Sequence, residues 1–393
     1  MELENFGLYV HIPFCTRRCA YCDFNTYAGM QHLIPDYVTG LVEELLQVKA
    51  FANLQYPLTS IYFGGGTPSL LPIAQLERIL NGIQSVFSVI AHPEITMEVN
   101  PTSISKEYLQ NLVQLGVTRL SVGMQSALQQ ELDLLGRSHT LKDVEELVTW
   151  SFAAGFSNLN LDLIYGIPNQ TLADWQKSLN TALQFSPTHL SLYALTLEEH
   201  TPLHKKIHNG LCQLPDDDLV ALMYERSCAL LEEAGFCHYE ISNWAMRSQD
   251  NDFRSQHNLT YWRSSPYIGI GAGAHSYYNH SRWENIQDIQ QFCKAIHNQP
   301  NTGQPHAAVL NYAALSPTVE MGEFMLMGLR LLEEGVADAT FQQRFGKSLF
   351  THYQKEIDDL AGKGLLEVDN QNRFIRLSPP AWLLANQVLM QFV

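Results

Sequence analysis

Short apolar runs rich in β-branched residues alternate with stretches of helical periodicity from about residue 7 to residue 241. This alternation predicts repeated βα units, whose strands form a parallel sheet. The predicted strands are 7–12, 60–63, 95–99, 119–122, 159–164, 189–194 and 238–241. The predicted helices between them are 35–51, 73–86, 106–115, 141–154, 172–184 and 217–233.

A glycine separates helix from strand at Gly116, Gly155 and Gly235, and the first two of these glycines are 39 positions apart. The third lies 80 positions further along, which is about two such periods. Glycine just after a helix adopts the left-handed conformation that turns the chain back toward the sheet. A βα unit repeated at this spacing predicts an α/β fold with a complete or partial TIM-like (β/α) barrel, in which chemistry lies at the carboxyl ends of the strands.

The pattern changes after about residue 242. Residues 243–266 are polar and aromatic without clear periodicity, and 267–275 are apolar and rich in glycine. Further along, the sequence predicts helices at 320–334, 338–345 and 348–363 and a hairpin of 364–368 with 373–377. Helices followed by a short hairpin resemble a winged-helix arrangement. We therefore predict a partial barrel over 1–241, a connecting region over 242–309 and a smaller, mostly helical, winged-helix-like domain over 310–393.

The charge of the chain argues against a nucleic-acid partner. Asp and Glu outnumber Lys and Arg by 40 to 24, whereas nucleic-acid binders concentrate basic residues to neutralise phosphates. The winged-helix-like part is therefore interpreted as a cap or lid. The acidic start of the sequence lacks the features of a signal peptide, and no apolar run reaches the length of a membrane span. Seven cysteines in 393 residues are too few for the disulfide-stabilised scaffold of a small secreted protein. We therefore expect a cytoplasmic protein with reduced cysteines.

Three of the seven cysteines, Cys15, Cys19 and Cys22, are spaced Cys-x3-Cys-x2-Cys just after the first predicted strand. Three thiolates on one short loop can hold three irons of a four-iron cube and leave the fourth iron open for a substrate. Arg17 and Arg18 are expected to stabilise the thiolates, since nearby cations lower thiol pKa values. The alternatives are a zinc site and free thiols. Zinc usually has a fourth Cys or His ligand at matched spacing, which this stretch lacks if His11 belongs to the strand end, so the cluster is favoured.

Other candidate site residues follow later predicted strands. A run of three glycines before Thr67 would let the backbone approach a ligand closely, or would simply form a tight turn. Glu98, at a strand end, suits an ammonium group or a ribose hydroxyl, although a surface position is equally compatible with the pattern. Asp162 is the one acid of an apolar strand, and a buried charge is costly unless it is paired, so we expect it to have a role.

The cysteine spacing, with aromatic Tyr21 just before Cys22, resembles the signature of the radical S-adenosylmethionine (radical SAM) superfamily. The resemblance implies a 4Fe-4S cluster whose open iron chelates the amino and carboxylate groups of S-adenosylmethionine. One electron then cleaves the sulfonium and yields a 5′-deoxyadenosyl radical, which is chemistry of the cofactor. The S-adenosylmethionine contacts implied by the resemblance are Tyr9, Tyr21, Gly65, Gly66, Thr67, Glu98, Gln125, Arg137, Asp162 and Ala194. Without the resemblance, the sequence pattern alone would favour solvated loop positions for Gln125 and Arg137.

The order and spacing of these motifs resemble the coproporphyrinogen III oxidase-like branch of the superfamily, over nearly the whole chain. Two functions compete within this branch: oxygen-independent coproporphyrinogen III oxidase, and a heme chaperone that delivers heme to client proteins. The oxidases carry a further cysteine two positions after the third, where this chain has Phe24, and a longer segment before the motif. Both features favour the chaperone, and they leave enzymatic turnover open.

The stretch from His257 to Trp262 matches the His-Asn-x-x-Tyr-Trp pattern associated with heme binding in the chaperone. His257 could supply an axial imidazole, and Tyr261 and Trp262 could offer aromatic faces to a porphyrin. The alternative is that the three residues pack a domain junction. The resemblance implies heme as cargo, client hemoproteins (respiratory ones among them) and an electron donor for the cluster. It leaves a peripheral membrane contact open, and a tRNA- or peptide-modifying radical enzyme is disfavoured by the acidic composition.

Overall fold

The structure of the chain is a computed structural model that describes residues 5–52, 54, 56–248, 251–298 and 300–393. Its strands are, in chain order, β1 (Gly7–Ile12), β2 (Phe14–Cys15), β3 (Tyr27–Ala28), β4 (Leu58–Gly65), β5 (Val89–Val99), β6 (Arg119–Gln125), β7 (Asn158–Tyr165), β8 (His189–Ala194), β9 (Phe236–Glu240), β10 (Asn243–Met246), β11 (Tyr267–Ile270), β12 (His275–Tyr278), β13 (Ser281–Asn285), β14 (Val309–Ala314), β15 (Val336–Ala337), β16 (Leu366–Asp369) and β17 (Phe374–Leu377).

The α-helices of the described residues are α1 (Ile34–Phe51), α2 (Ile73–Val86), α3 (Lys106–Gln114), α4 (Gln129–Leu135), α5 (Leu141–Ala154), α6 (Leu172–Gln184), α7 (Pro202–His208), α8 (Asp217–Glu233), α9 (Gln256–Trp262), α10 (Ile289–Ile296), α11 (Pro317–Gly328), α12 (Asp338–Phe345), α13 (Leu349–His352), α14 (Gln354–Gly362) and α15 (Ala385–Leu389). None of the helices in the described part of the chain is long and apolar enough to cross a membrane.

A mixed sheet of twelve strands is the centre of the fold, in the order β14-β13-β12-β11-β1-β4-β5-β6-β7-β8-β10-β9. Its middle, from β11 to β8, is parallel throughout, and the strands added at either side are antiparallel. The predicted α/β class is confirmed. The order ends at β14 and at β9, so the sheet of the described residues is open, which agrees with a partial barrel and not with a closed one.

The glycines predicted to end helices do so. Gly116, Gly155 and Gly235 have φ angles of 86°, 106° and 84°, in the left-handed region that favours glycine. At the other end of the helices, α5 and α6 begin with capping boxes, in which a threonine and an aspartate three residues later bond each other's backbone N–H. Local sequence signals therefore fix the βα units whose strand ends carry the candidate site.

The segment 242–309 contributes to the large sheet more than its sequence pattern indicated. It supplies β10 to β13, and helix α9 forms where no periodicity was visible. Side chains from β11 and β13 belong to the same apolar core as those of β1 and β4. These strands pair directly with strands of the predicted partial barrel. The division of the chain at residues 241 and 309 therefore stays a prediction.

The C-terminal helices and hairpin form a second apolar core. The predicted helix 338–345 is α12, whereas 320–334 ends early at Gly328 and 348–363 is broken at Tyr353. The hairpin of β16 and β17 follows the helices, as the winged-helix-like pattern predicted, and β15, which lies before α12 and was not predicted, pairs with β17. Tyr277 joins the two parts, because its hydroxyl donates to Glu320 at 2.6 Å and accepts from Arg344 at 2.8 Å.

Candidate functional site

The cysteine loop lies at the carboxyl end of β1. Cys15 closes the short strand β2, which pairs in parallel with β3 and brings the far end of the loop back to its start. In the middle of the loop, Ala20 N donates to Leu135 O at 2.8 Å, and Ala20 O accepts from Leu203 N at 2.9 Å. The loop is thus held between the ends of α4 and α7.

Each thiol of the loop has a polar neighbour on a different segment. Thr67 Oγ1 donates to Cys15 Sγ at 3.6 Å, and Arg137 Nη1 donates to Cys19 Sγ at 3.5 Å. Cys22 Sγ lies 4.0 Å from the hydroxyl of Thr26. As predicted for Arg18, its charge lowers the pKa of Cys22, although other causes act more strongly on that thiol. The role of Arg17 stays a prediction. The guanidinium that contacts a thiol directly is that of Arg137, just after the end of α4 and 118 residues along the chain from Cys19.

The three thiols of the loop are available to bind a cluster. All are free, Cys15 is buried, and the other two are half-buried. Burial raises the pKa of the Cys15 and Cys22 thiols, so a positively charged group bound there would be needed to hold them as thiolates. No three His, Cys, Asp or Glu side chains among the described residues converge on one metal position. A four-iron cube does not need such convergence, because each thiolate binds a different iron.

The glycine run after β4 packs directly on the strand end that carries Cys15. Gly66 N donates to Ile12 O at 2.9 Å, and Thr67 N donates to Phe14 O at 2.8 Å. A Cβ atom at Gly66 would lie 2.7 Å from Phe14 O, and one at Gly65 would lie 2.5 Å from the ring of His11. Only glycine fits at these two positions, so the turn packs tightly against the segment that leads into the cysteine loop.

His11 has no nitrogen left for a metal. Its Nε2 donates to Asn25 O at 2.9 Å, and its Nδ1 lies 3.0 Å from the hydroxyl of Tyr9. Burial lowers the pKa of His11, so the ring is neutral and Nδ1 accepts from Tyr9. His11 therefore belongs to the strand end and its packing, as the sequence predicted.

Glu98 and Asp162 lie on the interior of the sheet and are linked through β6. Glu98 accepts from the hydroxyl of Tyr62 at 2.9 Å and from Gly65 N at 3.0 Å. Its register partner is Ser121, which donates to Asp162 at 3.0 Å. Burial and the nearby Asp162 raise the pKa of Glu98 to about 7. Burial also raises the pKa of Asp162, and the hydrogen bond that Asn160 donates at 2.8 Å partly offsets this rise.

The inner face of the sheet keeps accessible surface near the two carboxylates. Tyr62, Glu98 and Asp162 are half-buried, and Tyr193 is 44% exposed. The carboxylates are therefore within reach of a ligand that binds on this face.

The remaining residues implied by the resemblance lie near the same end of the sheet. Gln125 ends β6 with a φ of 65°, and Ala194 ends β8. Arg137 is engaged by protein, because its Nη2 donates to Gly123 O at 2.9 Å in addition to the bond with Cys19. Tyr21 is enclosed beside it, and burial raises the pKa of its hydroxyl. The structure thus brings these positions together around the cysteine loop.

Arg119 is an interior residue that sequence reasoning missed as a candidate. It begins β6, is 1% exposed, and has no hydrogen-bond partner for Nε or Nη1 among the described residues. Its charge lowers the pKa of Glu94, Glu98 and Asp162. The sequence held no signal for this role, because Arg at the start of a strand usually reaches solvent.

The residues predicted to bind heme lie at the opposite end of the strands. His257 Nδ1 lies 3.0 Å from Ser60 Oγ, beside Gly7 at the start of β1, and its Nε2 lies 2.9 Å from the hydroxyl of Tyr261. Burial lowers the pKa of His257 to about 3. Glu94 caps this end of α9 by accepting from His257 N at 3.1 Å. The imidazole is therefore neutral, buried and occupied at both nitrogens.

Trp262 ends the same helix and packs against the C-terminal part of the chain. The guanidinium of Arg330 lies over its ring, 4.7 Å from the centroid. Arg254 and Arg263 bind Glu334 at 2.8 and 2.7 Å, which attaches both ends of α9 to the loop after α11. In this structure the stretch from His257 to Trp262 packs at the junction with the C-terminal part of the chain, which was its alternative interpretation.

An open parallel sheet with three cysteines after its first strand and a glycine turn beside them defines a protein of the radical SAM class. Residues 9–182 match the model of the Radical SAM superfamily, and residues 315–384 match that of the HemN C-terminal domain. The fold is also similar to that of coproporphyrinogen III oxidase (HemN) from Escherichia coli, with a TM-score of 0.83 and 24% identity over 99% of this chain and 90% of that one.

Two curated relatives are similar over nearly their whole length. The heme chaperone HemW of Lactococcus lactis is 35% identical over 98% of this chain and 96% of its own. The heme chaperone HemW of Bacillus subtilis is 34% identical over 98% of each chain. The chain therefore belongs to the HemW family of the radical SAM superfamily.

Proposed function

We propose that this protein is an iron–sulfur protein of the radical SAM type that binds heme and delivers it to client hemoproteins. The family membership supports this proposal, because the relatives matched over nearly their whole length carry the name heme chaperone. The observation that carries the choice within the branch is Phe24. It occupies the position where the oxidases have a further cysteine, and it is 69% exposed beside the cysteine loop.

In this proposal Cys15, Cys19 and Cys22 hold a 4Fe-4S cluster. When bound, the cluster supplies an open iron for the amino and carboxylate groups of S-adenosylmethionine and one electron for its sulfonium. Arg137 and Thr67 orient two of the thiols through the contacts described above. Glu98, ionised above its pKa of about 7, offers a carboxylate to the ammonium group from the inner face of the sheet.

Heme binding through His257, Tyr261 and Trp262 remains part of the proposal. Because both nitrogens of His257 are hydrogen-bonded, axial ligation through this residue requires α9 to leave its place at the amino ends of the strands. Such a movement would break the ion pairs of Arg254 and Arg263 with Glu334. The cytoplasmic location, the clients and the electron donor expected from the sequence are likewise proposals.

The oxidase alternative is tested by turnover. Anaerobically reconstituted protein is supplied with coproporphyrinogen III, a reductant and S-adenosylmethionine, and decarboxylated products are measured. The proposal predicts no efficient decarboxylation, and transfer of heme from the loaded protein to an apo-hemoprotein in the same buffer. Efficient decarboxylation would overturn the chaperone function.

The heme residues are tested by titration. Hemin is titrated into the wild type, His257→Ala and Tyr261→Phe, with thermal unfolding recorded for each because His257 is a buried part of the fold. A role in ligation predicts weaker hemin binding by folded His257→Ala. Unchanged stoichiometry and affinity would remove His257 from the heme site.

A further inference from the structure

A series of hydrogen bonds between buried side chains crosses the inner face of the sheet and ends on Asp162. Neighbouring strands supply its members in register, because Ser121 pairs with Asn160 on β7 and Asn160 pairs with His189 at the start of β8. Ser121, Asn160 and His189 are 4%, 1% and 0% exposed, whereas Asp162 is half-buried. The carboxylate is therefore the group of these four that a ligand can reach. The Asp162 network is defined as the following residues: Ser121, Asn160, Asp162, His189 and Tyr239.

The direction of the bonds in the Asp162 network follows from the chemistry of the partners. Asn160 Nδ2 donates to Asp162 Oδ1 at 2.8 Å, and Ser121 Oγ donates to Asp162 Oδ2 at 3.0 Å. An ionised carboxylate only accepts, so the amide of Asn160 must present its NH₂ group to Asp162. Its oxygen then lies on the other side, 2.7 Å from Nδ1 of His189. An amide oxygen cannot donate, so Nδ1 carries the proton.

The second nitrogen of His189 completes the assignment. Burial lowers the pKa of His189 well below its ordinary value, so the ring is neutral and Nε2 carries no proton. Nε2 accepts from the hydroxyl of Tyr239 at 2.8 Å. That hydroxyl in turn accepts from the N–H of Ser255, the residue before α9, at 3.3 Å. Each donor along this path thus points toward Asp162.

Asp162 depends on these neutral donors to stay ionised. Burial raises its pKa, and the hydrogen bonds from Asn160 and Ser121 oppose that rise more strongly than the charge of Arg119 does. Glu98 lies close enough for the two acids to repel each other. A carboxylate that accepts hydrogen bonds keeps its charge more readily than one that does not. Loss of the bond from Asn160 would therefore favour a neutral Asp162.

His189 is the group that keeps the amide of Asn160 in its orientation. If the amide turned over, its oxygen would face Asp162 and repel the carboxylate. Ser191 Oγ also donates to the amide oxygen, at 3.1 Å, but a hydroxyl can rotate and accept instead. The imidazole cannot do so while Tyr239 donates to its other nitrogen.

We infer that His189 is a positioning residue for ligand binding: its Nδ1–H fixes the amide of Asn160, which holds Asp162 as an ionised acceptor for a donor group of S-adenosylmethionine. The inference rests on the proposed function, because Asp162 serves in it as a contact of S-adenosylmethionine. The alternative is that the Asp162 network only satisfies polar groups buried in the fold.

The first test measures the tautomer of His189 in the full chain without any ligand. Histidine is labelled with ¹⁵N, and the ring signals of His189 are identified in NMR spectra by their absence from His189→Gln. We expect a proton on Nδ1 and none on Nε2. This measurement is made on the wild type, so its result does not depend on the stability of a disruptive variant.

The second test measures S-adenosylmethionine binding to the anaerobically reconstituted protein by equilibrium dialysis. His189→Leu removes the donor to Asn160 and is expected to bind roughly tenfold more weakly. His189→Gln keeps an N–H that can donate to the same oxygen, so its affinity should stay close to that of the wild type. His306→Leu is the matched control, because His306 is also 0% exposed but is not part of the Asp162 network. It is expected to change the unfolding temperature and not the affinity.

The inference fails if His189 carries its proton on Nε2, or if folded His189→Leu binds S-adenosylmethionine as tightly as the wild type. It also fails if His189→Gln binds as weakly as His189→Leu, or if His306→Leu loses as much affinity, since the loss would then reflect a general loosening of the fold. These results leave the proposed function standing, because the wild type still binds S-adenosylmethionine. A reconstituted wild type that binds none would contradict both.

Discussion

Arg137 Nη1 donates to Cys19 Sγ at 3.5 Å, across 118 residues of sequence. The same guanidinium is fixed by Gly123 O at 2.9 Å, so its position is set by the end of β6 as well as by the loop. The cationic group that contacts Cys19 is therefore held by the parallel sheet. We expect it to stabilise negative charge on the sulfur at this corner of the loop.

Arg137→Met is expected to lower the reduction potential of the reconstituted cluster, because the more negative, reduced state loses a cationic partner. A loss of about 1.4 kcal/mol for the reduced state corresponds to about 59 mV. The potential is measured by anaerobic titration monitored by electron paramagnetic resonance. Arg17→Met is the control, since Arg17 is exposed. Equal potentials in wild type and Arg137→Met would refute this role.

Gly66→Ala is expected to displace the strand end that carries Cys15. The added Cβ would meet backbone atoms of residues 12–14, the nearest at 2.7 Å, and backbone cannot move aside as a flexible side chain can. The free energy of unfolding should fall by roughly 1–3 kcal/mol, and iron retained after reconstitution should fall with it. Gly362→Ala is the matched control, because nothing lies within 4 Å of its Cβ position. Full iron content in Gly66→Ala would contradict the tight packing.

S-adenosylmethionine binding is expected to weaken as the pH falls through about 7. Burial and Asp162 raise the pKa of Glu98 to about 7, so below this pH the carboxyl is neutral and no longer attracts an ammonium group. Equilibrium dialysis from pH 6 to pH 8 should show this loss in the wild type, whereas Glu98→Gln should bind weakly at every pH. A wild-type affinity that is independent of pH would exclude Glu98 as the partner.

The buried carboxyl group of Glu44 is expected to make the free energy of unfolding depend on pH. Its side chain is fully buried and accepts from Gly271 N at 2.7 Å and from Asn285 at 2.6 Å, with His306 3.3 Å away. Burial raises the pKa of Glu44 to about 8 and lowers that of His306 to about 3, so the proton resides on the carboxyl.

Because the folded state holds this proton more tightly than the unfolded state, stability from Glu44 is present below about pH 4.5 and is lost as the pH rises to about 8. The loss is on the order of 3–5 kcal/mol over this range. Urea unfolding of Glu44→Gln should show a flatter dependence on pH than the wild type. The control is exposed Glu77→Gln, and an unchanged slope in Glu44→Gln would contradict the assignment.

The sequence predicted the parts of this molecule that local signals determine. Helix 73–86 and strand 7–12 were predicted at their observed bounds because the periodicity of apolar residues acts within a few positions. The cysteine motif could be recognised for the same reason, because Cys15, Cys19 and Cys22 lie close together in the sequence. Segment 242–309 was not resolved into elements, because strands as short as β11 are stabilised by pairing with β1, about 260 residues away.

The environment of the candidate residues depended on similar long-range contacts. His257 is bonded to Ser60, 197 positions away, and its burial at the amino ends of the strands could not be read from the local pattern. Arg119 sits among Glu94, Glu98 and Asp162 only because neighbouring strands meet in register. Sequence reasoning identified residue types with suitable chemistry, and the fold decided which of them remain accessible.

The central claim is that Cys15, Cys19 and Cys22 hold a four-iron cube with one iron open to S-adenosylmethionine. Mössbauer spectroscopy of the anaerobically ⁵⁷Fe-reconstituted protein, with and without S-adenosylmethionine, tests it most directly. The account predicts a cube in which one iron of the four changes its signal when S-adenosylmethionine is added. A protein that takes up only zinc, or a cube in which no iron responds to S-adenosylmethionine, would contradict it.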